Sequence, residues 1–155
     1  MKTINFTRIL FLCILPVVIM SSCGQQETKQ KASQTLTNSF TAEVNGKPYE
    51  AVHVTGFITP GLHTLLLTGA MGTGEDIQLF LPEDITAGTY DFPSIQGKYQ
   101  ENEEQSGFAT NGTLTILSHS TTNKTIKGSF HFTTKPLLKG DPSFDITEGS
   151  FDISY

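Results

Sequence analysis

One short pattern recurs four times in this chain: Gly88-Thr-Tyr-Asp-Phe92, Gly112-Thr-Leu-Thr-Ile116, Gly128-Ser-Phe-His-Phe132 and Gly149-Ser-Phe-Asp-Ile153. In each copy a glycine is followed by Ser or Thr, a large apolar residue, a polar one and a second apolar one. Side chains alternate across a β-strand with a period of two, so such a segment presents one apolar and one polar face. The glycine falls on the apolar side, where it leaves room for a neighbour or lets the strand bend, as in sheets that curve toward barrels. Phe108 and Ile126 extend the same parity upstream of Gly112 and Gly128, whereas Gly88 is equally well placed to end a preceding turn. In the last copy Phe144 and Ile146 have the opposite parity to Phe151 and Ile153, which predicts a bulge near Glu148-Gly149 that resets the alternation. The intervals between copies, 24, 16 and 21 residues, are too uneven for a solenoid.

The remaining punctuation agrees with strands. Phe40, Ala42 and Val44 alternate with Thr41 and Glu43 before Asn45-Gly46, a pair suited to the positive φ angles of a two-residue hairpin turn. That turn sets Val44 opposite Lys47, Ala42 opposite Tyr49 and Phe40 opposite Ala51, so Tyr49 and Ala51 join the inner face, and His53 continues their parity. Pro48 lacks a backbone donor and predicts an edge strand. Leu65–Thr68 and Ile77–Leu81 form two further strands joined through Met71–Gly74. The chain is therefore expected to be all-β and antiparallel, a β-sandwich or flattened β-barrel of about eight to nine strands.

The N-terminus has a different logic. Lys2 and Arg8 precede a twelve-residue apolar run, Ile9 to Met20, which is shorter than the roughly 20 residues a membrane-spanning helix needs but has the length of a signal-peptide core. Met20-Ser21-Ser22-Cys23 closes it, and polar sequence follows at once. The segment resembles the lipobox of bacterial lipoproteins, with Met20 where leucine is usual. The resemblance implies cleavage before Cys23 and acylation of that cysteine with two or three fatty chains of the palmitate type. Each buried methylene contributes about 0.8 kcal/mol, so two or more chains give a lasting anchor. Gly24, in place of Asp, fits onward transport to the outer membrane, on the periplasmic or the surface side. Residues 1–22 are thus a signal peptide, 23–38 the lipidated cysteine and a tether, and 39–155 the β domain. The tether is polar and carries a single large apolar residue, Leu36, too little to offset chain entropy.

Removing the signal takes Lys2 and Arg8 with it, so the formal charge moves from −5 to −7. A nucleic-acid binder would carry a basic patch, and Lys29/Lys31 is the largest basic cluster here, so nucleic acid is excluded as a partner. Of the two cysteines, Cys13 lies in the signal and Cys23 takes lipid, which leaves the β domain without disulfides, a thiol nucleophile or thiolate metal ligands.

The mature pattern Phe-x-Ala-x-Val-Asn-Gly, then Ala-Gly-Thr-Tyr, Gly-Ser-Phe-x-Phe and Gly-Ser-Phe-Asp-Ile-Ser-Tyr resembles a family of small Bacteroidota lipoproteins known only as a domain of unknown function. The resemblance covers residues 39–155 and implies location and fold; it transfers no catalytic residue.

Chemistry-bearing residues are sparse. His53, His63, His119 and His131 show no HxH or HxxxH spacing, and the acidic groups Glu83-Asp84, Glu101/Glu103/Glu104 and Asp141/Asp145/Glu148 lack the spacing of a calcium loop. Neither a metal nor a cofactor is expected. Ser129, His131 and Asp152 form an outward trio on an exposed sheet face, without the buried acid or the oxyanion hole of a hydrolase. The segment Pro93–Gly107 is the longest non-periodic stretch and contains Tyr99, which marks it as a binding loop or a spacer. These residues point away from an enzyme. They favour a membrane-anchored envelope lipoprotein that binds a small ligand, glycan or envelope protein, with a structural or accessory subunit of an envelope assembly as the alternative. Candidate binding residues are inner-face His53, with Phe57 and Tyr99 as stacking surfaces; the loops 93–107 and 135–142 would frame a barrel mouth.

Overall fold

The computed structural model describes residues 37–136 and 142–155. The signal segment, Cys23, the tether up to residue 36 and most of the 135–142 loop lie outside the described residues. Ten strands follow in order: β1 Ser39–Val44, β2 Lys47–Glu50, β3 His53–Thr59, β4 Thr64–Ala70, β5 Asp76–Pro82, β6 Gly88–Asp91, β7 Gln96–Gln100, β8 Ser106–Ser120, β9 Thr125–Pro136 and β10 Asp145–Ser154. There is no helix among the described residues.

All pairings are antiparallel and belong to a single sheet, ordered β2-β1-β10-β9-β8-β7-β5-β4-β3, with β6 beside β8. This is the expected all-β antiparallel fold, in the barrel-like of its two forms: nine strands follow one another in a curled sheet, and β6 is a tenth. Two bent segments each contribute a pair of strands. β2 and β3 sit at opposite ends of the sheet path yet are consecutive in sequence. Ala51 N–H donates to Phe40 O of β1 at 3.0 Å, and the next residue, Val52, donates to Ala70 O beside β4 at 2.9 Å. The chain thus changes partners within one step, and the sheet curls to bring its two edges together. β6 and β7 likewise flank opposite halves of β8, pairing with Thr113–Ile116 and with Ser106–Phe108.

The hairpin at Asn45-Gly46 has the expected positive φ at both residues, 50° and 73°, and the expected register, Val44 to Lys47 and Ala42 to Tyr49. The bulge expected in the last strand is present: the β10–β9 register shifts between Ile146 and Gly149, and Glu148 has φ 48°. Gly149 and Gly128 are both buried, and a Cβ on either would press on backbone and an aromatic ring, Phe130 in one case and Phe151 in the other. Gly88, by contrast, is exposed at the start of β6, so there the glycine ends a turn rather than clearing space inside.

Parity fails elsewhere for local reasons. The β8–β9 register shifts between Ala109 and Asn111, so inward Gly107 and Ala109 precede the slip and inward Leu114 and Ile116 follow it. Phe108 consequently faces outward, half-exposed. A second shift, between Ile116 and Ser118, leaves Leu117 57% exposed. His53 is also exposed, because the partner switch at Ala51-Val52 turns the strand over before it.

The inner face is filled by apolar side chains from every strand except β3 and β6, whose Val54, Ile58 and Tyr90 pack against it half-buried. Phe40 sits 5.3 Å from Phe130 and 6.2 Å from Phe151, centroid to centroid, and Phe130 continues to Phe132 and Phe92 at 5.9 and 5.2 Å between successive rings. Rings at such separations contribute about 0.5–1.5 kcal/mol per pair beyond their buried area. Phe40 also lies against Gly69 of β4, where a Cβ would stand 2.5 Å from the ring. The ring from β1 therefore fills the space between β4 and β9–β10 inside the curl.

Candidate functional site

The structure separates the candidate residues by face. Tyr99 is 1% exposed, on β7 rather than in a loop, with its ring edge-on to Phe144 at 4.7 Å. Its hydroxyl donates to Glu75 Oε1 at 2.8 Å, and burial, with Glu75 beside it, raises the phenol's pKa. His53 and Phe57 are both on the outer face of β3 but about 13 Å apart along it, and Phe57 is 49% exposed. Because the interior is packed, the outer surface is where a partner or ligand would meet the domain.

That surface has two dissimilar regions. Over β3, β4 and β5, Phe57 is paired with Leu66 and Leu66 with Phe80, so three apolar side chains form one outward row across adjacent strands. Leu66 and Phe80 are half-exposed. Neighbouring strands lie about 4.8 Å apart, so the row is continuous. The next outward row, Thr55, Thr68, Gln78 and Lys98, is polar, and Thr59 and Thr64 lie on the other side. An apolar centre bordered by polar groups has the composition of a protein-contact patch. The sequence held a signal for it. Leu65-Leu66-Leu67 and Leu79-Phe80-Leu81 are unbroken apolar triplets, and in a strand the middle residue of a triplet must face opposite to its neighbours.

Over β6, β8, β9, β10 and β1 the outward side chains are short and hydroxylated. Thr89, Thr115, Ser129, Ser150 and Thr41 are paired in register across five strands. Thr89 and Thr115 hydroxyls are 3.1 Å apart, and those of Thr41 and Ser150 are 3.2 Å apart. At the Glu148 bulge this face dips into a depression of about 440 Å³, bordered by Thr113, Ser129, His131, Thr147 and Ser150. Its floor is backbone at Phe130 and Gly149, both of which direct their side-chain positions inward. The outward trio does not form a triad. Asp152 pairs with Lys127 at 3.1 Å, and the nearest hydrogen-bond partner of His131 is Thr113 Oγ1, 3.4 Å from Nδ1.

A second recess, about 220 Å³, lies between the Asn45-Gly46 hairpin and Glu75, Tyr99 and Glu101. Tyr49 reaches it from β2 and donates its hydroxyl to Gly69 O at 2.5 Å. Burial raises the Tyr49 pKa, with the charges of Glu75 and Asp76 adding to the effect. Burial also raises the Asp76 pKa, opposed by Lys98. The two phenols lock this wall by hydrogen bonding, Tyr99 to Glu75 and Tyr49 to Gly69 O. Among the described residues, no group of three or more His, Cys, Asp or Glu is arranged to hold a metal ion.

The chain belongs to a family described as a domain of unknown function, DUF6252, whose model matches residues 36–152. Neither a curated protein nor a solved structure matches it.

Proposed function

We propose that this chain is a fatty-acylated lipoprotein of the cell envelope whose β domain docks an envelope protein on its outer surface and catalyses no reaction. The anchor half of the proposal is supported by the basic-apolar N-terminus ending in Met20-Ser21-Ser22-Cys23. The observation that carries the docking half is the outward row Phe57-Leu66-Phe80, set over an interior already filled by its own side chains. Aromatic residues at the centre of a contact patch carry a disproportionate share of binding energy, and Phe57 is the most exposed of the three. Residence in the outer membrane, suggested by Gly24, would present the patch to other envelope proteins.

A photo-crosslinking residue placed at position 57 in whole cells should give one discrete adduct, and the same probe at position 115 none. Leu66→Glu in the position-57 background should remove the adduct. Equal labelling from 57 and 115, or an adduct indifferent to Leu66→Glu, would contradict docking at this row. The depression at the Glu148 bulge favours a second class of ligand, a glycan, since hydroxyls can both donate to and accept from sugar hydroxyls.

A further inference from the structure

Strand directions place Asn38, the turn 60–63, the loop 83–87, the turn 121–124 and Tyr155 at one end of the curled sheet. The turn 71–75, the turn 101–105 and Asn45-Gly46 lie at the other. The first end is where the chain enters the domain. Asn38 is fixed there by a pair of bonds with Ser154: its Nδ2 donates to Ser154 O at 3.0 Å, and Ser154 N–H donates to its Oδ1 at 2.8 Å.

That same end exposes large apolar side chains. Leu62, at the tip of the β3–β4 turn, is 70% exposed, and Leu117 is the residue extruded by the second slip in β8. Leu117 joins Ile85 and Ala87 along a recess of about 550 Å³. Side-chain contacts tie the two apolar positions into one rigid rim. His63 Nδ1 lies 2.6 Å from Glu83 Oε1, linking the Leu62 turn to the 83–87 loop. His119 bridges that loop to the C-terminus through Ile85 O at 2.6 Å and the Tyr155 hydroxyl at 2.7 Å. Lys124 stands over the Tyr155 ring at 5.6 Å. The first end also carries Glu83 and Asp84, whereas the opposite end is the more acidic, with Glu75, Asp76, Glu101, Glu103 and Glu104 around its turns and Lys47 among them.

We propose that the end carrying Leu62, Leu117, Lys124 and Tyr155 rests on the phospholipid surface to which Cys23 is attached, and that the acidic end points away from it. The inference depends on the lipid-anchor proposal above and adds an orientation to it. Two independent facts support it. Fourteen residues, Gly24–Thr37, separate Cys23 from the described domain, and chain geometry limits their span to about 50 Å at most. The chain enters the domain at Asn38, so a tether from Cys23 holds that end nearer the bilayer than the end with the turns 71–75 and 101–105. The Asn38 end carries two carboxylates, Glu83 and Asp84, with Lys124 beside them, against five at the other end, so anionic headgroups repel it less. Exposed leucines, a tyrosine and a lysine are also the side chains that partition into an interface.

The chain contains no tryptophan, so single-tryptophan variants report one position each. The chain beginning at Cys23, whose only thiol is Cys23, is coupled through it to maleimide-bearing vesicles of phosphatidylethanolamine and phosphatidylglycerol. Leu62→Trp and Leu117→Trp should show blue-shifted emission and several-fold stronger quenching by brominated lipid than Glu103→Trp. All three sites are exposed, so the substitutions leave the core intact. Equal quenching at the three positions, or stronger quenching for Glu103→Trp, would overturn the orientation. Chemical coupling makes this outcome independent of acylation in the cell, which is tested separately by the mass of the mature N-terminus.

Discussion

The outer faces over β3–β5 and over β8–β10 share one interior and one pattern of strand pairing, yet they meet water differently. The hydroxylated face satisfies itself laterally, Thr89 with Thr115 and Thr41 with Ser150, and solvent completes the rest. The row Phe57-Leu66-Phe80 has nothing to gain from water, and its apolar area is favourable only when covered. The difference teaches that a sheet face of this domain is free to be either kind, because stability is supplied from the other side. Function is then to be sought where a face departs from what solubility alone would ask for.

The largest effect should come from the element both regions depend on. Phe40→Ala removes a ring that touches Phe130 and Phe151 under the hydroxylated face and Gly69 under the apolar one. A loss of about 3–5 kcal/mol is expected in urea unfolding, as for other buried aromatics cut to alanine. A loss under about 1 kcal/mol would mean that the two halves are not held by a common core.

Next come matched changes on the two faces themselves. Phe57→Ser and Thr115→Ala should each alter unfolding free energy by no more than about 0.5 kcal/mol, the usual range for surface sites. Phe57→Ser should nevertheless reduce self-association or dye binding at high concentration, while Thr115→Ala leaves both unchanged. If the two variants behave alike, the contrast between the faces has no functional content.

The smallest expected effect lies at the rim between the regions and is a matter of pH. The hydrogen bond to Glu83 and its charge raise the His63 pKa above 6.5. A raised folded-state pKa means that the pair's contribution is fully present below the unfolded value and fades as pH rises through the folded one. Following the ring protons by NMR, Glu83→Gln should bring the His63 midpoint back down toward 6.5. An unchanged midpoint would remove the link between the Leu62 turn and the 83–87 loop.

Much of this fold was legible because period two is a local property. The hairpin at Asn45-Gly46, the inward Tyr49 and the reset at Glu148 each follow from a few neighbouring residues. What escaped depends on partners distant in sequence. The strand that leaves β1 at Ala51 and joins β4 at Val52 inverts His53, and the two slips in β8 turn out Phe108 and Leu117. None of these is written in the local alternation. The site is legible only in part: Phe57 stands out as a stacking surface, but Leu66 and Phe80, which complete its row, read only as members of the strands Leu65–Thr68 and Ile77–Leu81. Tyr99 was drawn to a loop by its acidic neighbours, whereas its ring belongs to the core.

The anchor is the premise on which envelope location, partner class and orientation all depend, and it is open to one direct measurement. Intact-mass and N-terminal peptide spectrometry of the mature protein from its own membranes should find a chain that starts at Cys23 and carries two or three acyl chains. A mature chain with an unmodified Cys23, or one that retains residues 1–22, would contradict the account.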